Sequence, residues 1–451
     1  MTSSLFLSIP ARAAGTVLAI GLWIGAPGAI SAQSGAAAEV HAFTGAHIIP
    51  IDGPEIENGT LVIENGRIRA VGVADDVRIP RNAELHDMAG RVIMPGLVDT
   101  HSHIGEVEGA DRSGPIQPDV RVMDSINPRD AGIQKAQTGG VTTANIMSGS
   151  GHLLSGQTIY VKLRDVDVID DLMIRDAAGN WMGGIKMANG TNPRGNAPFP
   201  GTRAKAAALV RAEFIKAQEY RDKMDAAGDD ASKRPARDLG LEALVDVLEG
   251  RKVVHHHTHR HDDVLTVLRL SDEFGFRVVL HHVSDAWKVA DEIAAAGAAV
   301  SLISVDSPGG KLEARDNHFK SGGVLEKAGV LTGFHTDDGI TDSRFFTRQA
   351  ALAVRAGMSR EGALYGLTMA GAIMLDLDER IGSLTPGKDA DFIVMSGDPL
   401  SVYTHVAQTW VDGQLVFDRS RDEDRTVATG GYGASFDQAD FEHLLKREAG
   451  Q

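Results

Sequence analysis

One run of this sequence joins a predicted buried strand to two imidazole side chains. The apolar residues 92–98 contain a Pro-Gly pair at 95–96 and lead into His101 and His103. An apolar run entered from a turn is typical of a strand in a parallel sheet. Because side chains alternate between the two faces of a strand, His101 and His103 point the same way. The strand end therefore offers two ligands to a divalent cation.

The middle of the chain, residues 95–380, alternates short apolar segments with longer helical patterns. This alternation is typical of parallel βα units, so we predict the α/β fold class with a (β/α)8 TIM-like barrel. In such barrels the catalytic side chains lie at the C-terminal ends of the strands. Strands are predicted at residues 141–146, 184–187, 252–255, 277–280 and 330–334, and helices at residues 202–225, 239–248, 262–274, 285–296 and 344–356.

Two flanking regions, residues 33–94 and 381–425, have a different pattern. Short alternating strands are separated there by turn signals such as Asn65-Gly66. This rhythm is typical of antiparallel β structure. Because one region precedes the predicted barrel and the other follows it, we predict a small β-sandwich domain formed from both N-terminal and C-terminal segments.

The C-terminal tail, residues 426–451, carries no chemical motif. Phe441, Leu444 and Leu445 have helical spacing within residues 437–447. This spacing predicts an amphipathic helix that packs on the barrel or on a neighbouring subunit.

The first 32 residues resemble a secretory signal peptide. Arg12 is their only charged side chain, an apolar Gly- and Ala-rich run follows at residues 15–30, and Ser31 and Ala32 are small. The apolar run is shorter than a membrane span and is interrupted by Gly and Pro27. We therefore predict an exported protein, periplasmic or secreted, with no stable membrane anchor.

The composition limits the partners. The chain has 451 residues, 43% of them hydrophobic, and a formal net charge of −16. This size and apolar content describe a globular protein, and the negative charge argues against nucleic acid and anionic membranes as partners. A small molecule or short peptide is the substrate class that remains. The absence of cysteine in the sequence excludes disulfides and thiolate metal ligands.

Further histidines follow other predicted strands. In the run at residues 254–261, His255, His257 and His259 share one face by alternation. A second apolar strand closes on His281 and His282. Each of these strand ends can supply imidazole to a metal, although the spacing alone does not choose among the histidines.

Several motifs together resemble a known family. The His-X-His strand, GVTTA at 140–144, GSLTPGKDADF at 382–392 and the flanking β segments are similar to the metal-dependent amidohydrolase superfamily, especially its imidazolonepropionase-like and Xaa-Pro dipeptidase-like branch. The resemblance covers about residues 40–418. It implies as metal ligands His101, His103, His257, His282 and Asp337, with Asp337 also serving as the general base. His281 and Asp338 are the competing candidates at the last two positions.

The resemblance also bears on the number of metal ions. It implies that Lys186 is a possible carboxylated lysine bridging two ions, and a buried lysine is costly unless paired or modified. Close relatives often carry Gly-Glu-Asn-Pro where this chain has Gly190-Thr191-Asn192-Pro193. A possible acidic group is therefore missing, and we expect one or two divalent ions, with zinc as the metal.

Substrate-binding residues are expected on the loops that follow the strands. Arg260 is a candidate for gripping a substrate carboxylate with its two-pronged guanidinium. The residues considered for substrate contact are His259, Arg260 and Tyr160, together with Lys162, the loop at 191–201, Asp306 and Lys311.

The predicted reaction is hydrolysis of a C–N bond in an amide, peptide or lactam. The main alternative is a deaminase acting on a heterocycle. Such relatives carry Glu three residues after the histidine of strand five, where this chain has Arg260 after His257. A non-catalytic exported metal-binding protein is a further alternative, although it has no need of Asp337 in the position of a base. Relatives are frequently oligomeric, so a homo-oligomer is also considered.

Overall fold

The computed structural model describes residues 39–304 and 311–430. The predicted signal peptide, Asp306 and the predicted C-terminal helix lie outside these residues. The strands are β1 (Val40–Ile48), β2 (Ile56–Glu64), β3 (Arg67–Val73), β4 (Glu84–Asp87), β5 (Val92–Pro95), β6 (Leu97–Ser102), β7 (Val141–Ile146), β8 (Leu154–Gln157), β9 (Ile159–Lys162), β10 (Ile185–Ala188), β11 (Val254–Thr258), β12 (Val278–His282), β13 (Ala299–Leu302), β14 (Thr332–Phe334), β15 (Phe392–Met395), β16 (Val406–Val411) and β17 (Gln414–Asp418).

The α-helices lie mainly between the strands of the middle region. They are α1 (Ala131–Thr138), α2 (Ile169–Leu172), α3 (Arg203–Ala227), α4 (Leu239–Leu248), α5 (His261–Phe274), α6 (Ala290–Ala295), α7 (Ser321–Lys327), α8 (Thr347–Arg355), α9 (Arg360–Leu367), α10 (Met369–Met374) and α11 (Asp422–Thr429). Within the described ranges, no helix has the length and apolar character needed to cross a membrane.

Eight strands from the two flanking regions form one sheet. Its order is β17-β16-β15-β5-β1-β2-β3, with β4 beside β1. The pairing of β5 with β15 joins the N-terminal and C-terminal segments. Hydrogen bonding thus links all eight strands in one ladder. The reason is that β1 pairs with β2 along one edge and with β4 and then β5 along the other, which keeps all strands in one ladder.

An aromatic cluster fills the core of this β region. The ring centre of Phe43 lies 4.9 Å from that of Phe392 and 5.0 Å from that of Trp410. All three side chains are almost fully buried. Each ring removes a large apolar area from water, and edge-to-face contacts add to that stabilisation. The core is thus shared between strands from both ends of the chain.

The middle region contains the parallel strands that carry the histidines. Strands β10, β11, β12, β13 and β14 are successive parallel neighbours, and β6 pairs in parallel with β7. Strands β8 and β9 add antiparallel edges to β10 and β7 respectively. Strand β13 lies between β12 and β14 and precedes Lys311, one of the residues considered for substrate contact.

The last parallel strand meets the first one at the site of interest. The backbone N–H of Asp337, just after β14, donates to the carbonyl of His101 in β6 at 2.9 Å. The backbone N–H of Thr336 donates to Asp99 Oδ1 at 3.0 Å. These bonds bring the ends of β6 and β14 together.

A buried ion-pair network joins the β region to the parallel strands. Lys162 in β9 places its Nζ 2.6 Å from Asp389 Oδ2 and 3.1 Å from Asp391 Oδ2, and it also contacts Asp412. Burial alone lowers the pKa of this lysine, but the three carboxylates raise it above its ordinary value. The expectation that Lys162 contacts substrate does not fit this position, because its ammonium is fully buried among structural carboxylates.

Replacing Lys162 tests how much this ion-pair network contributes to the stability of the fold. Lys162→Met removes the cation and leaves three carboxylates close together, so we expect the free energy of unfolding to fall by about 3–5 kcal/mol. Denaturant unfolding followed by circular dichroism measures the change. The exposed Lys205 of α3 provides the matched control, Lys205→Met, which should leave the unfolding midpoint nearly unchanged. Equal midpoints for the two variants would contradict the assignment.

Candidate metal centre

The C-terminal ends of β6, β12 and β14 bring ligand atoms together. Asp337 Oδ1 lies 3.3 Å from His101 Nε2 and 3.0 Å from His103 Nε2. The other carboxylate oxygen lies 3.8 Å from His282 Nδ1. Ligand atoms of His101, His282 and Asp337 all lie within 4.8 Å of one another. The carboxylate therefore lies at the point where imidazoles from two other strands converge.

His257, from the end of β11, borders the same cluster. Its ring centre lies 4.4 Å from that of His282. Both of its ring nitrogens are buried and have no hydrogen-bond partner among the described residues. Buried polar atoms are normally paired, so two unpaired nitrogens on one imidazole indicate a site for a ligand. The five side chains predicted as metal ligands thus lie in one connected group.

The backbone at the strand ends explains which residues face the site. His282 and Val283 have φ angles of 70° and 41°, and Asp337 has a φ angle of 51°. Such left-handed conformations are uncommon in residues with a side chain and are often found at functional sites. At the end of β12 they break the simple alternation, so the rings of His281 and His282 both lie close to the His101 ring, at 4.9 and 4.8 Å.

His281 and Asp338, the competing candidates for ligands, have different surroundings from His282 and Asp337. His281 Nε2 lies 3.0 Å from His255 Nδ1, which is deeper in the strand layer than His257. Asp338 accepts a hydrogen bond from Lys135 Nζ at 2.8 Å and another from the backbone N–H of Ser343 at 3.0 Å. Of each adjacent pair, His282 and Asp337 are the members that contact each other.

Lys186 extends from β10 into the same cluster. Its Nζ lies 3.2 Å from His101 Nε2 and 3.1 Å from Met147 Sδ. Burial lowers its pKa to about 7. A large neutral fraction therefore exists near neutral pH, and the neutral amine is the form that reacts with carbon dioxide.

The charge states of the cluster suit a metal. Burial lowers the pKa of His101, His257 and His282 well below the usual histidine value, so these imidazoles are neutral and have lone pairs to donate. Burial by itself raises the pKa of Asp337, but His103 and His282 hold it below its ordinary range. Burial alone lowers the pKa of His103, but its bonds to Asp337 and Glu106 raise that pKa to about 9, so a metal bound there would displace a proton from this imidazole.

The donor set fits a divalent transition metal. Neutral imidazoles with one carboxylate are the ligands that zinc binds in catalytic sites. The unpaired Nε2 of His282 and the unpaired nitrogens of His257 are the atoms that a cation would satisfy. His101, His103, His282 and Asp337, with His257 beside them, are the residues that would hold it.

His335 is a member of the cluster that sequence reasoning missed. Its Nε2 lies 3.1 Å from His282 Nδ1, and its Nδ1 lies 2.8 Å from Ser301 Oγ. Its ring stacks on that of His101, with ring centres 5.0 Å apart. The sequence signal was available, because His335 precedes Asp337 by two residues at the end of the same strand.

Asp99 is a second missed residue, which positions the ligand-bearing segments. It is buried in β6 and accepts hydrogen bonds from the backbone N–H and the hydroxyl of Thr336. It also accepts from the backbone N–H of His101 at 3.3 Å. One carboxylate thus fixes both His101 and the segment that carries Asp337. Burial raises the pKa of Asp99 to about 7, against the opposing effect of these hydrogen bonds.

Comparison with known proteins identifies the family. The sequence model of the amidohydrolase family matches residues 92–416. The chain belongs to the amidohydrolase family. The predicted membership of the amidohydrolase superfamily is thereby confirmed, and so is the α/β class, since the family has a TIM-barrel type of fold. Members of this family are metal-dependent hydrolases of C–N bonds, and they act on small-molecule substrates.

Three similar proteins align with most of this amidohydrolase. Amidohydrolase tasK from Hapsidospora irregularis is 29% identical over 392 residues, which cover 80% of this chain and 40% of that protein, so the chain spans less than half of that relative. The 5-methylthioadenosine/S-adenosylhomocysteine deaminase of Symbiobacterium thermophilum is 24% identical over 445 residues, covering 83% of this chain and 92% of the deaminase. The crystal structure of an amidohydrolase from Thermotoga maritima aligns with a TM-score of 0.78 and 33% identity, covering 84% of this chain and all of that one.

The residues predicted to bind substrate lie in different places in this amidohydrolase. His259 lies beside His257, with ring centres 4.8 Å apart. Arg260 is partly exposed at the start of α5, where its guanidinium binds both carboxylate oxygens of Asp262 at 2.8 Å. Tyr160 is buried, and its hydroxyl lies 2.9 Å from His255 Nε2, near the beginning of β11. The expectation that Tyr160 contacts substrate at the mouth does not fit this deep position.

Removing the Asp99 carboxylate tests its positioning role. Asp99→Ala should weaken zinc binding by about 10- to 100-fold, because residues that orient metal ligands typically contribute that much. Competition with a chromophoric chelator measures the affinity. The exposed Asp75 supplies the control variant, Asp75→Ala, which should bind zinc like the wild type. An unchanged affinity in the folded Asp99→Ala protein would show that Thr336 and His101 hold their positions without it.

Proposed function

We propose that this amidohydrolase is an exported metal-dependent enzyme that hydrolyses the C–N bond of an amide, peptide or lactam, with Asp337 as general base. The observation that carries the proposal is the convergence of His101 Nε2 and His103 Nε2 on one oxygen of Asp337. Zinc is the proposed metal, as one or two ions, and Lys186 is a possible carboxylated bridge between two. The protein would be periplasmic or secreted after removal of the N-terminal segment.

The proposed architecture is a closed (β/α)8 barrel with the predicted domain limits. The bonds between the ends of β6 and β14 support closure on one side. The contact of Thr158 N with Gly184 O, and of Tyr160 N with Met182 O, supports closure on the other. In a closed barrel, all five predicted metal ligands would share one mouth.

The chemistry follows from the side chains around the cluster. When bound, a zinc ion supplies a water with a pKa of about 7 and polarises the substrate carbonyl. Asp337 is ionised at neutral pH because neighbouring histidines hold its pKa low, so it can accept the proton of the attacking water. The same carboxyl can then pass that proton to the departing nitrogen. His101 and His103 hold Asp337 in place for both transfers.

The substrate is proposed to be small and to carry an anionic end. His259 and Arg260 follow β11 at the same end as the cluster, and Arg260 is partly exposed. A substrate carboxylate would have to exchange with Asp262 for the guanidinium of Arg260. This arrangement would suit a dipeptide or an N-acyl amino acid.

Deamination of a heterocycle is the competing reaction. The name of the Symbiobacterium thermophilum relative favours it, but that relative is only 24% identical. The absence of Glu three residues after His257 in this sequence argues against it, because Arg260 cannot shuttle the proton. We therefore rank amide hydrolysis first.

Replacing Asp337 tests the proposed catalysis. Asp337→Asn should lower kcat by about 10²- to 10⁴-fold, the usual contribution of a general base, while the histidines still bind metal. The exposed Asp229→Asn variant is the control and should retain wild-type turnover. Turnover is measured on a panel of dipeptides, N-acyl amino acids, lactams and aminated heterocycles. Full turnover by Asp337→Asn would exclude it as the base.

Metal removal separates the proposed function from its alternatives. Dialysis against a chelator should abolish hydrolysis, and added zinc should restore it, because the ion activates the water. Amine or amino acid release with amide cleavage supports the proposal. Ammonia release from a heterocycle without amide cleavage would indicate a deaminase, and metal binding without turnover on any substrate of the panel would favour a metal-binding protein.

A further inference from the structure

A pair of histidines lies in the sheet of the β region, whose strands carry none of the side chains in the cluster around Asp337. His41 is the second residue of β1, and His86 is the third residue of β4. The parallel register pairs His41 with Glu84, two positions before His86. Because side chains two residues apart share a face of a strand, the three side chains project from the same side of the sheet.

The ligand atoms of these three residues converge. His41 Nδ1 lies 3.0 Å from His86 Nε2 and 3.6 Å from Glu84 Oε2. The other carboxylate oxygen of Glu84 lies 3.9 Å from His86 Nε2. A tetrahedral zinc ion with ligands at about 2.0–2.1 Å sets neighbouring ligand atoms about 3.3–3.4 Å apart. The three observed separations lie on both sides of that value.

From this convergence we propose that His41, Glu84 and His86 bind a zinc ion in the β region, with solvent water as the remaining ligand. Strand β4 pairs with β1 alone, over four residues. The ion would therefore fasten this short strand to its one neighbour. The site is separate from the candidate metal centre around Asp337, and the proposal does not rest on the proposed function.

Aromatic rings of the core hold both imidazoles in place. The ring of His86 stacks on that of Phe43, with ring centres 4.5 Å apart, and His41 meets the edge of the Trp410 ring at 5.5 Å. Two ligands are thus fixed before an ion arrives, which reduces the entropy cost of binding it. Burial lowers the pKa of His86 against the opposing effect of Glu84, so this imidazole is neutral at pH 7 and has a lone pair to donate.

Glu39 orients His41 for such an ion. One oxygen of Glu39 lies 3.3 Å from His41 Nε2, and the other accepts a hydrogen bond from Gln414 Nε2 at 3.0 Å. When His41 donates its Nε2–H to this carboxylate, Nδ1 keeps a lone pair that faces His86 and Glu84. A carboxylate behind the imidazole is a usual feature of metal-binding histidines. Within the described residues, neither Glu39 nor Glu84 forms an ion pair with a lysine or an arginine, so both negative charges favour a cation here.

Fluorescence of Trp410 tests the proposal in the full-length protein. The Trp410 ring centre lies 5.5 Å from that of His41 and 5.7 Å from that of His86, and a copper(II) ion bound between the two imidazoles would quench it. Copper(II) prefers the same imidazole and carboxylate ligands as zinc. Titration of the metal-free protein should show a quenching phase that is lost in His86→Gln. Equilibrium dialysis against zinc, followed by mass spectrometry of the metal, should give one zinc fewer per chain in His86→Gln than in the wild type.

A histidine of the same strand provides the matched control. His47 lies six positions further along β1, roughly 20 Å at the rise of a strand. Its two nitrogens face Glu55 at 2.7 Å and Glu57 at 2.8 Å, but it belongs to none of the ligand clusters found in the described residues. His47→Gln should therefore keep the copper quenching and the zinc content of the wild type. Glu84 is exposed, so Glu84→Gln leaves the core intact and should shift the quenching to higher copper concentration.

The outcomes separate this site from the proposed function. Equal quenching and equal zinc content in the wild type, His86→Gln and Glu84→Gln would overturn the proposal and leave the two imidazoles joined by a hydrogen bond alone. Circular dichroism establishes that each variant is folded, and if His86→Gln does not fold, Glu84→Gln decides the question. Hydrolysis of the substrate panel should be the same in the wild type and the folded variants. A wild-type protein that hydrolyses no substrate but loses one zinc on replacement of His86 would support this site and refute the proposed function.

Discussion

The contact of Asp337 with His101 and His103 is the interaction on which the site depends. One carboxylate oxygen meets two imidazole nitrogens that come from a different strand. This geometry requires the ends of β6 and β14 to lie side by side, and Asp99 secures that arrangement by binding Thr336 and the backbone of His101. Asp99, His101 and Thr336 are buried, so their placement is set by hydrogen bonds and not by solvent. Burial also keeps the imidazoles of His101, His257 and His282 neutral, which is the form that binds a metal.

The histidines in and just after β11 contact other residues at several depths of the site. Alternation places His255, His257 and His259 on one face at increasing height. His255 contacts Tyr160 and His281 at the deepest level. His257 reaches His282, and His259 reaches Ser284 at the level of the mouth. The outward residue between two of them, His256, bonds instead to a backbone carbonyl.

Much of this arrangement could be predicted from sequence because it depends on local periodicity. The alternation of strands and helices gave the α/β class, and the strand-end histidines marked the cluster. The alternation of side chains between the two faces of a strand fails at the end of β12. There the left-handed backbone of His282 and Val283 brings both His281 and His282 toward the site. Local pattern does not encode such a kink, and a resemblance to relatives was needed to choose His282.

Other features depend on partners far away in the chain. Lys162 resembled a loop residue near substrate, but its partners Asp389 and Asp412 come from the far end of the sequence. Glu313, in a short 3-10 helix after β13, gave no signal either, because its partners Thr191 and Arg203 lie more than a hundred positions away in the chain. Long-range pairing of polar groups is thus the part of the site that the sequence pattern could not provide.

The pairing of β5 with β15 has a consequence for how the chain is assembled during synthesis. The ribosome makes the entire α/β region between these two strands before β15 emerges. Phe43 therefore cannot contact Phe392 and Trp410 until most of the chain has been made. Closure of this ladder is a long-range event, and the entropy cost of joining its two ends spans the entire α/β region.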